Sequence, residues 1–238
     1  MKYSLGIDAG GTYTDVVLMR NNDGVIVNFN KSLTTYPDLV EGVKNAIDGL
    51  DQSYLKDVNI VSVSTTLATN TVLEKTGYPV GLILVGEYDI PEDLDVEHYI
   101  VVSGGHTTRG EEYSELDEEK VVDFVKGVRN NVSAFAVSSY FSIRNPDHEL
   151  RIKQIIRNLT DYPVVCGHEL SQDLGVYERG VTAYLNAQLL PITARFIQSV
   201  KSETERRGIN AKMRMLKCDG SIVGINEALE KPIELIFS

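Results

Sequence analysis

The segment Gly6 to Asp15, GIDAGGTYTD, carries the densest chemistry in the sequence. Gly10 and Gly11 free the backbone to aim N–H groups at phosphate oxygens, and the hydroxyls of Thr12 and Thr14 add donors. Asp8 and Asp15 would set carboxylates beside them that can hold a hydrated Mg²⁺ bridging phosphates. The alternative is a plain Gly-Gly hairpin turn with a capping Asp. The full pattern Asp-x-Gly-Gly-Thr-x-Thr-Asp, flanked by strands, favours phosphate binding. The missing Lys excludes a Walker loop, and the missing helix excludes a dinucleotide fingerprint.

Further along, Thr65, Thr66, Thr69 and Asn70 put hydroxyls and an amide where a strand ends and a helix starts, a common ligand position in open α/β sheets. Thr65 and Thr66 are candidate nucleotide contacts and Asn70 a candidate substrate contact, while helix capping by Thr66 stays open. His106 follows Gly104-Gly105 in a polar loop, exposed and mobile enough for acid/base work or ligation; ordinary solvation is the alternative. Glu178 and Arg179, at a helix start, read as a surface pair or as substrate contacts. His98, His148 and His168 have no partner at metal-ligand spacing, and Cys166 and Cys218 read as buried thiols, so a zinc site is not supported. No Gly-x-Ser-x-Gly elbow marks a serine nucleophile.

These residues need elements to hold them. Tyr3 to Asp8, Thr14 to Met19 and Val25 to Lys31 read as an antiparallel meander, with Asn22-Asp23-Gly24 as a hairpin turn. An amphipathic helix follows from Pro37 to Leu50. Next come strand Ile60 to Ser64, helix Leu67 to Lys75 and strand Val80 to Val85, an alternation that predicts a parallel extension of the sheet. Helix Glu118 to Asn130 (capped by Asp117), strand Ala134 to Ser138, a helix from Asn145-Pro146 to Leu159 and strand Val164 to Cys166 continue it. The helical pattern Tyr177 to Arg207 contains Pro191, which should kink or divide it. Met213 to Leu216, Ile222 to Ile225 and Ile233 to Phe237 read as short strands. Three antiparallel strands followed by parallel βα units predict an α/β ribonuclease-H-like lobe with a mixed sheet. A Rossmann fold would put a helix where the second strand falls.

The chain has 238 residues and a formal charge of −11, which argues against nucleic acid or an anionic membrane as partner. Glu87 to Glu119 holds twelve of the 34 acidic and one of the 23 basic residues, so 22 of each sign lie elsewhere. The net charge therefore sits in one segment, read as an insertion or lid facing substrate or a partner chain. No apolar run approaches the roughly 20 residues of a membrane span. The sequence starts without a secretory signal, and the expected compartment is the cytoplasm. Sequons at Asn30, Asn131 and Asn158 are then chance matches.

The segments GIDAGGTYTDVVL (Gly6 to Leu18), STTLATNTVLE (Ser64 to Glu74), SGGHTTRGEEYSEL (Ser103 to Leu116), NPDHELR (Asn145 to Arg151) and YERGVTAYLNAQLLP (Tyr177 to Pro191) together resemble the hydantoinase/oxoprolinase family. The resemblance covers nearly the whole chain. It implies an actin-like ATPase lobe over residues 1–170, with the acidic insertion at 87–119, then a long helix and the start of the hydantoinase A region over 171–238. It also implies ATP and Mg²⁺, with Asp8 as the metal carboxylate, Gly10, Gly11, Thr12, Thr14, Thr65 and Thr66 at the nucleotide, and Asp8, Asp15 and His106 in catalysis. Asn70, Glu178 and Arg179 would meet the substrate.

The implied reaction phosphorylates the carbonyl oxygen of a cyclic amide before hydrolysis. A resonance-stabilised carbonyl is a poor electrophile, and a phosphate leaving group changes that. Such enzymes have a second lobe with another phosphate loop, expected on a missing C-terminal part or another chain, and a hydantoinase B-like subunit as a further partner. A small-molecule kinase of the same superfamily, or a non-catalytic nucleotide-binding subunit, are the alternatives.

Overall fold

The computed structural model describes residues 2–35, 39–87 and 95–236. Its strands are β1 (Tyr3–Ala9), β2 (Tyr13–Arg20), β3 (Ile26–Leu33), β4 (Val58–Thr65), β5 (Val80–Val85), β6 (His98–Val102), β7 (Ala134–Ser139), β8 (Val164–Cys166), β9 (Lys212–Leu216) and β10 (Ile222–Gly224). Its helices are α1 (Leu39–Asp48), α2 (Leu67–Leu73), α3 (Glu118–Val128), α4 (Asp147–Leu159), α5 (Val176–Arg206) and α6 (Ile225–Glu230). The fold is mixed α/β with two sheets, divided into two compact units: Met1–Thr76 with Leu190–Ser238, and Gly77–Leu189. The boundary at Leu189 falls inside α5.

In the first unit the sheet runs β10-β9-β4-β1-β2-β3. The meander β1-β2-β3 is antiparallel, and Gly24 takes φ +69° in its turn, where the Asp23 carboxylate accepts the Val25 N–H. Strands β4 and β9 run parallel to β1. Alternation sorts each strand: Tyr3, Leu5, Ile7 and Ala9 are buried, whereas Ser4, Gly6 and Asp8 face outward. Helix α1 buries Leu39, Val43, Ala46 and Ile47. It also presents Gly42, where an added Cβ would lie 2.9 Å from the Leu33 carbonyl oxygen. Only a residue without a side chain lets the helix approach that closely.

The second unit has a parallel sheet, β6-β5-β7-β8. Strands β5 and β7 are buried on both faces, which explains their unbroken apolar runs. Ile83, Val85, Phe135 and Val137 pack with Val121 and Val125 of α3 and with Ile152 and Ile156 of α4. On the other face the start of α5 comes close: a Cβ on Gly180 would fall 2.5 Å from Leu84 Cδ2.

Several expectations need correction. Strands β5, β7 and β8 do not extend the first sheet, because the free edge of β4 is taken by β9, about 150 residues later, and they build a sheet of their own. Pro191 does not divide α5. It forfeits one backbone hydrogen bond, and its surroundings, with Ala187 and Leu189 at 0% exposure, hold the helix in place. Residues expected as a final strand form a 3₁₀ turn, Pro232–Leu235, and Phe237 lies outside the described residues. The expected helix start at Pro37 also lies outside them.

The acidic segment is less of an appendage than expected. It contributes β6, and Asp117 caps α3 by accepting the Lys120 N–H. Residues 88–94 lie outside the described set.

Candidate functional site

The β1–β2 turn has a consistent polarity. Three of its carbonyl oxygens are turned back into the protein: Ala9 accepts from Thr65 Oγ1 (3.1 Å) and the Thr66 N–H (3.2 Å). Gly10 accepts from Thr34 Oγ1 (2.8 Å), and Thr12 from the Thr34 N–H (2.9 Å). The Gly10 N–H closes the turn on Tyr13. The N–H groups of Gly11 and Thr12, both exposed, have no partner among the described residues. A turn with bonded carbonyls and outward amides suits an anion.

Beside it, the sheet lines up carboxylates. Asp8 is the register partner of Asp15 on β2 and of Ser64 on β4, so all three side chains share the open face. Ser64 Oγ donates to Asp8 at 2.8 Å, and Lys31 pairs with Asp15 at 3.1 Å. Gly6, Ser62, Val17, Leu216 and Ile222 complete a cleft of about 220 Å³ around them.

Two expected nucleotide contacts are not on this face. Thr14 is fully buried, with its hydroxyl 3.2 Å from that of Thr34, because β2 alternation turns it inward. Thr65 is buried too, and its hydroxyl accepts the Leu67 N–H, so Thr65 rather than Thr66 caps α2. Thr66 makes no side-chain cap and stays half-buried, as does Asn70 one turn on. Ser64, Ser62, Lys31 and Thr34 were missed. The period-2 alternation from Asp8 through β2 and β4 could have found the two serines.

In the second unit a different cluster forms at the C-terminal ends of the parallel strands. Gly104 and Gly105 have φ of +142° and +107°. A Cβ on Gly105 would meet Tyr140 Cβ at 2.7 Å, so this path is open to glycine alone. It carries His106 inside. His106 is 3% exposed, not the mobile loop residue expected, with its N–H on the Tyr140 carbonyl and its ring 4.4 Å from that of His148. Burial, and then His148, hold the His106 imidazole below its ordinary pKa. His148 Nδ1 accepts the Gly105 N–H (2.9 Å), so Nε2 carries the proton toward Glu112 (3.0 Å).

Arg179 is also buried, at 1% exposure, and forms no surface pair with the exposed Glu178. Its guanidinium donates to the carbonyls of Asp173 (2.6 Å), Leu174 (2.8 Å) and Ser139 (2.6 Å). Glu149, 0% exposed, accepts from the Ser139 N–H and the His168 N–H, and pairs with His168 Nδ1 at 2.5 Å. Glu149, Cys166 and His168 bring three metal-capable atoms within 4.8 Å of one another, which the spacing along the chain did not reveal. Cys166 is buried as expected, whereas Cys218 is exposed.

Comparison with known proteins decides the family. The profile of the hydantoinase/oxoprolinase N-terminal region matches residues 4–160, and the hydantoinase/oxoprolinase profile matches residues 179–238. The chain belongs to the hydantoinase/oxoprolinase family. Within this family it is 28% identical to the caprolactamase subunit alpha of Pseudomonas jessenii, over 93% of this chain and 36% of that protein. It is 26% identical to the acetophenone carboxylase gamma subunit of Aromatoleum aromaticum, over 93% and 36%. With the 5-oxoprolinase of Saccharomyces cerevisiae it shares 21% identity, over 92% and 22%.

The crystal structure of the ATP-dependent caprolactamase from Pseudomonas jessenii superposes with a TM-score of 0.79 at 27% identity, over 98% of this chain and 38% of that one. A nucleotide-free acetone carboxylase shares the fold, with a TM-score of 0.79 at 18% identity over 98% and 39%. The hydantoinase/oxoprolinase relatives thus include ATP-dependent enzymes and proteins named as subunits. This chain spans less than two fifths of their length. Among the described residues, no helix is long and apolar enough to cross a membrane.

Proposed function

We propose that this chain is the ATP-binding part of an ATP-dependent hydrolase that opens a cyclic amide, of the hydantoin or 5-oxoproline type. The observation that carries this reading is the polarity of the β1–β2 turn, with amides outward and carbonyls bonded inward, next to the row Asp15, Asp8, Ser64. The strand order β9-β4-β1-β2-β3, with β2 alone antiparallel to its neighbour β1, supports a ribonuclease-H-like lobe.

The residues fit Mg·ATP. The Gly11 and Thr12 N–H groups and the Thr12 hydroxyl would face phosphate oxygens, and Asp8, oriented by Ser64, would hold the hydrated Mg²⁺. Asp15, with Lys31 beside it, would orient metal-bound water or the phosphoryl acceptor. When bound, Mg·ATP supplies a transferable phosphoryl group, which turns the amide oxygen into a leaving group. Thr66 and Asn70 lie beyond the same strand ends and would extend the contact toward phosphate or substrate. His106 belongs to the other compact unit, and an acid/base role for it does not follow from the turn.

The share of the relatives' length that is covered, and the subunit names among them, support a second polypeptide segment that completes the ATP site, with a hydantoinase B-like subunit as a further partner. Calorimetry with Mg·ATP tests the assignment on this chain together with such a segment. Asp8→Asn, a change on an exposed face, should weaken binding about tenfold or more, about 1.4 kcal/mol. Unchanged affinity would overturn the role given to this turn. Phosphorus NMR separates the hydrolase from a kinase: free phosphate with an opened ring supports the first, a stable phosphorylated product the second.

A further inference from the structure

We propose that Glu149, Cys166 and His168 in the second unit form a Zn²⁺ site, with a carboxylate oxygen, the thiolate sulfur and an imidazole nitrogen as ligands and a fourth position left to water. Glu149 lies on α4, Cys166 ends β8, and His168 sits in the 3₁₀ turn that follows, Gly167–Glu169. The three donor atoms lie within 4.8 Å of one another, and among the described residues no other group of three His, Cys, Asp or Glu meets that limit. Tetrahedral Zn²⁺ holds such ligands at about 2.0–2.3 Å, which sets them about 3.3–3.7 Å apart, so small side-chain adjustments complete the geometry. Spacing along the chain concealed the cluster, because Glu149 arrives from α4.

The bonds already present leave room for an ion. An ionised carboxylate has about four acceptor positions. Glu149, at 0% exposure, uses two on Oε2 for the His168 N–H and ring, and one on Oε1 for the Ser139 N–H. A position on Oε1 is therefore open, and an ion replacing the hydrogen between Oε2 and the His168 ring would reach both residues. The Cys166 thiol donates only to the Glu149 carbonyl, at a long 3.8 Å. Its sulfur is oriented by the Glu169 N–H, while the Glu169 carboxylate accepts the Cys166 N–H at 3.2 Å and is fixed by Lys153 at 2.6 Å. An N–H aimed at sulfur favours the thiolate, the form that binds metal.

A thiolate, a carboxylate and a neutral imidazole sum to −2, which a divalent ion cancels, and buried charges persist where they are paired or coordinate a metal. On binding, the thiol proton leaves to solvent and the imidazole keeps one proton, on the nitrogen that does not ligate. Sulfur and nitrogen donors select Zn²⁺ over Mg²⁺ or Ca²⁺, which take oxygen ligands. Glu149 and Cys166 are fully buried, so the cluster meets solvent through His168, whose side chain is 19% exposed, and the ion and its water would enter there. Bound in this place, the ion ties α4 to the end of β8.

The test is equilibrium dialysis of the full chain against Zn²⁺ with elemental analysis, and absorption spectroscopy after loading with Co²⁺, which reports a thiolate ligand through a sulfur-to-cobalt charge-transfer band. The wild type should bind about one ion and show the band. Cys166→Ala should abolish the band, and Cys166→Ala and His168→Ala should each weaken Zn²⁺ binding about tenfold or more, a loss that changes outside the ligand shell already reach. Cys218→Ser removes the exposed thiol and should leave binding intact. Should Cys166→Ala fail to fold, His168→Ala decides, because that side chain reaches the surface. No bound ion, a band that survives Cys166→Ala, an unchanged affinity in His168→Ala, or loss of binding in Cys218→Ser would overturn the proposal. It is independent of the ATP assignment, since Asp8 belongs to the other unit and dialysis contains no nucleotide.

Discussion

Glu149 and Arg179 grip opposite sides of one residue: the Ser139 N–H donates to Glu149 Oε1 at 2.8 Å, and the Ser139 carbonyl accepts from Arg179 Nη2 at 2.6 Å. Two buried charges of opposite sign are thus joined through the backbone at the end of β7 rather than by direct contact. Arg179 also ties down the carbonyls of Asp173 and Leu174, where the chain enters α5.

Removing that guanidinium leaves the buried Ser139 carbonyl and the part-buried carbonyls of Asp173 and Leu174 without this charged donor. Arg179→Ala should therefore cost at least about 2 kcal/mol, since each hydrogen bond from a charged donor is worth about 1.5–3 kcal/mol and all of these are lost together. Arg179→Lys should recover little, because an ammonium cannot reach acceptors in a planar fork. Urea unfolding measures both. A midpoint for Arg179→Ala close to wild type would contradict the network.

Gly105 carries the second strong constraint. Its φ of +107° and the 2.7 Å approach to Tyr140 Cβ mean that Gly105→Ala must shift backbone on one side or the other. The expected loss is about 1–3 kcal/mol. The His148 side-chain resonances should move as well, since the Gly105 N–H anchors that ring.

The two cysteines should differ sharply. Cys218 is exposed, whereas Cys166 is buried, and burial, reinforced by the charges of Glu149 and Glu169, pushes its thiol well up. A thiol reagent at mildly alkaline pH should titrate one cysteine in the native protein and both after denaturation. Rapid labelling of two thiols under native conditions would refute the buried placement of β8.

Acid stability should depend on Glu203. Burial raises its carboxyl pKa, but hydrogen bonds from Arg207 and Arg206 outweigh this and hold it below the ordinary value of 4.5. A folded-state pKa below the unfolded one gives stability that is complete above the unfolded value and lost as pH falls through the folded one. Wild type should therefore lose stability below about pH 4.5 more steeply than Glu203→Gln. Parallel acid unfolding curves for the two proteins would show that the contacts of Glu203 with Arg206 and Arg207 contribute nothing.

Local features were legible in the sequence because they are set by neighbours along the chain. The meander and its Gly24 turn, the apolar faces of α1, α3 and α4, and the Asp117 cap follow from alternation, helical periodicity and turn chemistry. The Gly-Gly turn between Asp8 and Asp15 was legible for the same reason, and strand register alone places those two carboxylates side by side. Which strand edges meet was not legible. Parallel strands join through long connections that carry no mark of their partner, so β9 on β4 and the separate β6-β5-β7-β8 sheet emerged only in the fold.

Burial of polar residues followed the same divide. By itself the sequence determined the family, the elements and the anion-ready turn. Tertiary structure alone decided that His106 lies beside His148, 42 positions away, and that Arg179 reaches Ser139 across 40. It also supplied the partners, the Thr34 hydroxyl and the Ala9 carbonyl, that satisfy Thr14 and Thr65 on their inward faces. The physical reason is that a polar side chain is buried only where distant backbone or side-chain partners satisfy it, and those partners are brought together by sheet assembly rather than by spacing along the chain.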